Sequence, residues 1–241
     1  MTINVQVQNY IFVMRNLQDS INQLQGEQYL ENHKKTLLFS LLETLSKGVF
    51  GTERNFVKFE RLIREFCVWE DGKRVSLQQL SLLLERTEER GFETLKSYVE
   101  ANLSRYPMSR PVPFTHDPYI EEIREYMPEG IQKINGVKLE QLTHVSLLWK
   151  YRNGLVHEAR GLGANELFDE VEPHYIFYRA IGYDTEGEIA YKKYWQKLYP
   201  LHFLNDLINQ VITNIEPYLI QNGIDPYDNY NFEPLWIEGR N

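Results

Sequence analysis

The chain has 241 residues, of which 42% are hydrophobic and 25% charged, which is an ordinary composition for a globular protein. Its 26 Lys and Arg against 34 Asp and Glu give a net charge of −8, which excludes a basic field over the whole surface that would hold nucleic acid nonspecifically. The single cysteine, Cys67, excludes an internal disulfide and a cluster of cysteine metal ligands. The N-terminus has no signal-peptide pattern, and no stretch approaches about 18 uninterrupted apolar residues. We therefore expect a soluble, cytoplasmic protein with no membrane partner.

The first 104 residues have the apolar spacing of helices, because apolar side chains recur there at three- and four-residue steps. Glycines separate the helical stretches, and Ser76 is the type of residue that caps a helix N-terminus. Short connections between helices are typical of antiparallel neighbours in a bundle. We predict five helices in this part of the chain, over about residues 4–24, 29–47, 52–69, 77–89 and 92–103.

Residues 105–118 contain four prolines, which cannot continue a helix and which favour an extended conformation in the residue before them. We interpret this segment as a connector between an N-terminal helical part, residues 1–104, and a second part, residues 119–221. Residues 222–241 are interpreted as a C-terminal tail. The connector is the best candidate for a boundary between subdomains, although all four segments can also form one domain.

The second part combines helices with one β-hairpin. A short helix is predicted over residues 119–127, a longer one over 138–157, and a final one from Pro200 to about Ile220. Two stretches rich in β-branched and aromatic residues, 174–181 and 189–195, flank a turn-like segment and predict two antiparallel strands. The expected fold class is therefore mainly α, a helical bundle with one inserted β-hairpin.

The helix over residues 138–157 carries an arginine on its apolar face. On a helical wheel Arg152 falls among apolar side chains, whereas Asn153 and His157 fall on the polar side. A guanidinium among core positions is costly unless it has an anionic partner or lines a pocket. Because Arg152 and His157 are separated by about 140° around a regular helix, we predict that facing helices of two chains bring these residues together.

The string Arg-Asn-x3-His at the end of an apolar helix resembles the Arg-x4–6-His motif of the HEPN superfamily, with Arg152, Asn153 and His157 at the three motif positions. The resemblance covers residues 28–220. It implies a compact helical bundle that forms a homodimer. It also implies a metal-independent endoribonuclease of the toxin–antitoxin or anti-phage type, with these three residues forming a catalytic site across a two-fold interface. The expected partners are an RNA substrate and an antitoxin or regulatory protein, with no cofactor and no metal.

This chemistry suits the three residues, because RNA carries its own nucleophile in the 2′-hydroxyl group. His157 would act as general base or general acid, since imidazole transfers protons readily near neutral pH. Arg152 would hold the scissile phosphate, and Asn153 would orient the phosphate or the imidazole. Substrate contacts are predicted for the neighbouring residues Lys150, Tyr151 and Arg160.

Other interpretations of the same residues remain open. Basic side chains near a helix C-terminus favour the helix dipole without any catalytic role. The chain can also be a non-catalytic HEPN-like helical module that binds a partner protein or a nucleotide.

Tyr151 either stacks on a base or packs in the core, and the apolar neighbours of Cys67 argue against a thiol enzyme. The acidic net charge does not exclude the nuclease, since residues 131–163 carry five basic against two acidic side chains.

Overall fold

The computed structural model describes residues 2–26, 29–88, 90–158, 171–183 and 189–232, and within these ranges the chain is mainly helical with a small amount of antiparallel sheet. The helices are α1 (Ile3–Asn22), α2 (Leu30–Phe50), α3 (Asn55–Phe66), α4 (Leu77–Glu85), α5 (Glu93–Leu103), α6 (Ile120–Arg124), α7 (His144–Glu158) and α8 (Leu201–Asn222). The strands are β1 (Val112–Pro113), β2 (Lys133–Ile134), β3 (Val137–Lys138), β4 (His174–Tyr183) and β5 (Ile189–Leu198). Among the described residues, no helix is both long and apolar enough to cross a membrane.

The chain divides into two compact units that do not follow the predicted segments. The first unit contains residues 1–68 and 205–241, so it is formed by both ends of the chain, and the second contains residues 69–204. The proline-rich residues 105–118, interpreted from the sequence as a connector, lie inside the second unit.

In the first unit, α1, α2 and α3 bury apolar side chains against one another, as their three- and four-residue spacing predicts. A 3-10 helix, Pro226–Asn229, packs on α1 and α2, so the described part of the expected tail belongs to this core. The ring of Tyr227 meets buried Tyr10 edge-on at 5.6 Å, and the Tyr230 hydroxyl donates to the Thr44 carbonyl at 2.6 Å.

The second unit contains a three-stranded antiparallel sheet in the order β1-β4-β5. The predicted hairpin forms as β4 and β5, paired from His174 opposite Leu198 to Tyr183 opposite Ile189. Strand β1 comes from the proline-rich segment and pairs at the other edge of β4. Proline is tolerated there because an edge strand leaves one row of backbone groups unpaired.

A second hairpin, β2–β3, was not predicted, so the expectation of a single hairpin was wrong. Its two-residue turn is Asn135-Gly136, and both residues have positive φ, 47° and 77°. Asparagine and glycine adopt this conformation readily, which is why this dipeptide favours tight hairpins. The hairpin occupies the start of the helix predicted over residues 138–157, and α7 begins only at His144, after a 3-10 helix over Leu139–Leu142.

Candidate active site

Helix α7 in the second unit carries the three motif residues, and its first residue anchors it to the interior of that unit. The backbone N–H of His144 donates to the Arg74 carbonyl at 3.0 Å. The imidazole Nε2 of His144 donates to Oδ2 of Asp117 at 2.7 Å. Apolar residues farther along the helix, including Leu148 and Leu155, are buried. The orientation of α7 about its own axis is therefore set by the buried contacts of its first residue and by the apolar residues farther along the helix.

The structure brings Arg152, Asn153 and His157 together within one chain. Nη1 of Arg152 lies 2.6 Å from Nε2 of His157 and donates to Oδ1 of Asn153 at 3.0 Å. Because arginine has only donors, Nε2 of His157 accepts in this contact and is unprotonated. We expected an intact helix to keep Arg152 and His157 of one chain apart, and this expectation was wrong. The long arginine side chain spans the angle around the helix end.

The three side chains differ in their access to solvent. Arg152 is only 6% exposed, as its position on the apolar face predicts, whereas Asn153 is half-buried and His157 is exposed. The guanidinium therefore points from the interior to an imidazole at the surface.

Trp149 belongs to this site, although the sequence analysis did not assign it a function. The Arg152 guanidinium carbon lies 4.9 Å from the centre of the Trp149 ring, within the range of a cation–π interaction. The two residues are three positions apart on α7, which places them on one side of a helix. This spacing is the sequence signal that identifies Trp149 as a support for the guanidinium.

The residues predicted to contact substrate, Lys150, Tyr151 and Arg160, do not share one environment. Lys150 is exposed on α7. Tyr151 is 5% exposed and packs against Tyr199 with ring centres 5.1 Å apart, so the core-packing alternative is the one the structure supports. The stacking role predicted for Tyr151 does not fit this burial, because a stacking ring must present a face to the base. Arg160 lies outside the described residues.

A buried carboxylate, Asp117, organises the interior next to the start of α7. Its Oδ1 accepts from the Leu77 backbone N–H at 3.0 Å and from the Tyr106 hydroxyl at 2.8 Å. Its Oδ2 accepts from the Tyr175 hydroxyl at 2.5 Å and from His144. A carboxylate this deep in a protein is tolerated when such donors replace water. Since Asp117 is 1% exposed, its role is to hold these elements together.

His144 is held in its neutral form by the same surroundings. Burial lowers the pKa of its imidazole, while the hydrogen bond to Asp117 opposes that shift. The ring stacks on Phe114 with centres 3.7 Å apart and planes only 4° apart. With Nε2 donating to Asp117, Nδ1 carries the lone pair and has no hydrogen-bond partner among the described residues.

The other chemistry considered from the sequence finds less support in the geometry. Burial raises the pKa of the Cys67 thiol to about 12, which disfavours the reactive thiolate at neutral pH. Among the described residues, no group of three or more His, Cys, Asp and Glu side chains is close enough to hold a metal ion. The chain was compared with protein-family models, with curated protein sequences and with solved structures, and none of the three gives a significant match.

Proposed function

We propose that this protein is a metal-independent endoribonuclease of the toxin or anti-phage type, built on a helical bundle like that of the HEPN superfamily. The observation that carries the proposal is the contact of Arg152 with both His157 and Asn153. These are the three residues that the motif resemblance selects. A phosphate-binding donor, a proton-transfer group and an orienting amide thus lie within hydrogen-bonding distance, as cleavage of RNA requires.

In the proposed reaction the 2′-oxygen of RNA attacks the adjacent phosphorus atom. His157 Nε2 takes the 2′-hydroxyl proton, the bond from phosphorus to the 5′-oxygen breaks, and that oxygen leaves with a proton from water, whose hydroxide then takes the proton held by His157. The products are a 2′,3′-cyclic phosphate and a 5′-hydroxyl. Arg152 stabilises the charge that develops on the phosphoryl oxygens, since its planar fork matches two of them.

The contact between Arg152 and His157 adds a condition to this mechanism. Arg152 donates to Nε2 of His157, the nitrogen that carries the lone pair needed by a general base. An RNA phosphate competes for the same guanidinium donors, because a charged acceptor is stronger than a neutral imidazole. Binding of the phosphate would therefore release Nε2 at the moment when the 2′-hydroxyl arrives.

The partners in the proposal are an RNA substrate, a second copy of the chain, and an antitoxin or regulatory protein. The dimer rests on the resemblance alone, because one chain already joins Arg152 to His157. Mixing Arg152→Ala chains with His157→Ala chains decides how the site is built. Recovered cleavage in the mixture indicates a site shared between two chains, whereas no recovery indicates that each chain supplies its own residues.

The central experiment measures cleavage of total RNA in the presence of EDTA. We expect wild-type protein to form 2′,3′-cyclic phosphate ends and His157→Ala to cleave at least about 100-fold more slowly, the usual loss for a general acid–base group. His33→Ala, which removes another exposed histidine, is the matched control and should cleave like the wild type. Equal rates for wild type and His157→Ala, or loss of activity on chelation, would contradict the proposal.

One observation favours the second candidate, a non-catalytic helical module that binds a partner protein or a nucleotide. Arg152 is 6% exposed and already contacts His157, Asn153 and the Trp149 ring, so little of its guanidinium faces solvent. A module of this kind would bind its partner and leave all RNA intact. Absence of cyclic phosphate ends in every RNA tested, together with saturable binding of a protein or nucleotide by the intact chain, would favour this candidate.

A further inference from the structure

A cavity of about 370 Å³ opens on the first unit, between α2, the start of α3 and Tyr230. This volume is within the range of small-molecule sites, roughly 300–1,000 Å³. Its lining is polar and includes two lysines, Lys47 of α2 and Lys58 of α3. Nothing in the proposed nuclease uses this cavity, because the nuclease site lies on α7 in the second unit.

Lys58 is an unusual side chain to line a cavity, because it is only 6% exposed. In the part of the chain that the structure describes, its ammonium donates to the Gly51 carbonyl at 3.0 Å and has no carboxylate within ion-pair distance. An ammonium has three donors, and burying it without an anion is costly. The cavity wall thus holds a cation whose charge is not balanced by an ion pair.

Lys47 adds a second positive charge to the same wall. It is exposed, and its ammonium lies 5.1 Å from the centre of the Tyr230 ring. The pKa of Lys58 is lowered by burial and, next, by the positive charge of Lys47, while Glu43 opposes the shift. Among the described lining residues, two lysines stand against one carboxylate, Glu43, and Glu53 outside this lining also raises the pKa of Lys58. An anion between the lysines would relieve their mutual repulsion.

The neutral lining residues carry no negative charge, so they do not balance the charges of the two lysines. The hydroxyls of Thr44 and Ser46 donate to carbonyls of their own helix, so their hydrogens are already used. Asn55, the first residue of α3, adds an exposed amide at the cavity, and the start of a helix favours negative charge.

We propose that this cavity binds the phosphate group of a small phosphorylated ligand between Lys47 and Lys58. Lysine binds phosphate as a compact point charge, and a doubly charged phosphate balances two ammonium groups. The cavity is larger than a phosphate group requires, which leaves room for the rest of a ligand such as a nucleoside monophosphate. The proposal is independent of the nuclease, because none of its residues lies on α7.

Binding is measured by calorimetry on the full chain with three probes, inorganic phosphate, AMP and adenosine. We expect saturable binding of phosphate and AMP and none of adenosine. Lys47→Met and Lys58→Met should each weaken binding at least about tenfold, the effect of losing one charge-assisted hydrogen bond. Lys73→Met removes an exposed lysine of the second unit and should leave the affinity unchanged. Arg152→Ala should also leave it unchanged, which separates this site from the nuclease.

The outcomes distinguish the ligand from the alternatives. Tighter binding of AMP than of phosphate identifies a nucleotide-like ligand, and equal binding identifies phosphate alone. The proposal is overturned if neither probe binds at concentrations up to about 10 mM, if both lysine variants bind like the wild type, or if Arg152→Ala abolishes binding. Lys47 is exposed, so Lys47→Met tests the site even if Lys58→Met does not fold. If the proposal is overturned, the role that remains for Lys58 is to cap the carbonyl end of α2.

Discussion

Arg152 illustrates, at the residue scale, how a single long side chain changes what helical geometry allows. A separation of five positions puts Arg152 and His157 about 140° apart around α7. Four rotatable bonds nevertheless carry the Arg152 guanidinium to 2.6 Å from His157, where the helix is about to end. Positions on a wheel describe Cβ directions, and for arginine the functional group lies far from the Cβ atom.

Asp117 joins several elements of the second unit, because its carboxylate accepts four hydrogen bonds inside the protein. Asp117→Ala removes the acceptor of the Tyr106 hydroxyl, the His144 imidazole and the Leu77 N–H, whereas the Tyr175 hydroxyl keeps its contact with Ser76. We expect the free energy of unfolding to fall by about 3 to 5 kcal/mol, measured by urea denaturation. Glu129→Ala removes an exposed carboxylate and should change stability by no more than about 0.5 kcal/mol. Similar losses for both variants would contradict the role given to Asp117.

The buried neutral imidazole of His144 makes stability depend on pH in a predictable direction. Burial lowers the pKa of His144 in the folded protein, whereas the unfolded chain takes up this proton near pH 6.5. The unfolded state therefore binds more protons below about pH 6.5, and stability falls as the pH drops from 7 to 5, by at most about 1.4 kcal/mol per pH unit. His144→Gln keeps an N–H donor without titrating, so urea midpoints should fall less steeply in this variant. Equal slopes would refute the assignment.

At the scale of elements, local pattern was a good guide wherever an element depends on its own residues. The helices over the first 104 residues and the hairpin β4–β5 appear where apolar spacing and β-branched residues place them. The Ser76 side chain accepts from the Gln79 N–H at 3.2 Å, as expected of a helix cap. The hairpin β2–β3 also has a local signal, the dipeptide Asn135-Gly136 at its turn.

The contact between α1 and α2 includes one position, Gly48, where only a glycine fits beside the Tyr10 ring. A Cβ atom at Gly48 would overlap the Tyr10 hydroxyl and lie 2.8 Å from the ring carbon that bears it. Gly48→Ala improves helix propensity by about 1 kcal/mol, yet we expect a net loss of about 1 to 3 kcal/mol from this overlap, measured by thermal unfolding. The loss should shrink in a Tyr10→Phe background, which removes the hydroxyl. A Gly48→Ala protein more stable than the wild type would contradict this, because it would show that the Tyr10 side chain shifts away from the added methyl group without loss of stability.

At the scale of the whole molecule, the two ends of the chain meet in one unit. The 3-10 helix Pro226–Asn229 packs on α1 and α2, and a hydrogen bond joins Tyr230 to the Thr44 carbonyl. Half-buried Tyr230 thus contacts buried Tyr10, although 220 positions separate them. No periodicity within residues 222–241 indicates this packing, which is why the segment was interpreted as a tail.

Shortening the chain tests this arrangement. A chain that ends at residue 223 lacks the 3-10 helix and its tyrosines, whereas a chain that ends at residue 232 keeps them. We expect the shorter chain to be less stable by about 3 kcal/mol, from lost ring burial and hydrogen bonding, with the difference read from urea denaturation of both chains. Identical midpoints would mean that these residues lie on the first unit without stabilising it.

The sequence by itself determined the helical class, the approximate limits of most helices and the main hairpin, because each depends on residues close together in the chain. The proposal of Arg152, Asn153 and His157 as site residues also comes from a local pattern. Only the tertiary structure decided that β1 pairs with β4, that Asp117 meets His144, and that Lys47 and Lys58 share a cavity. Each of these contacts joins residues of different elements. Apolar periodicity says which face of an element is buried, but the partner of that face is chosen by the packing of the whole unit.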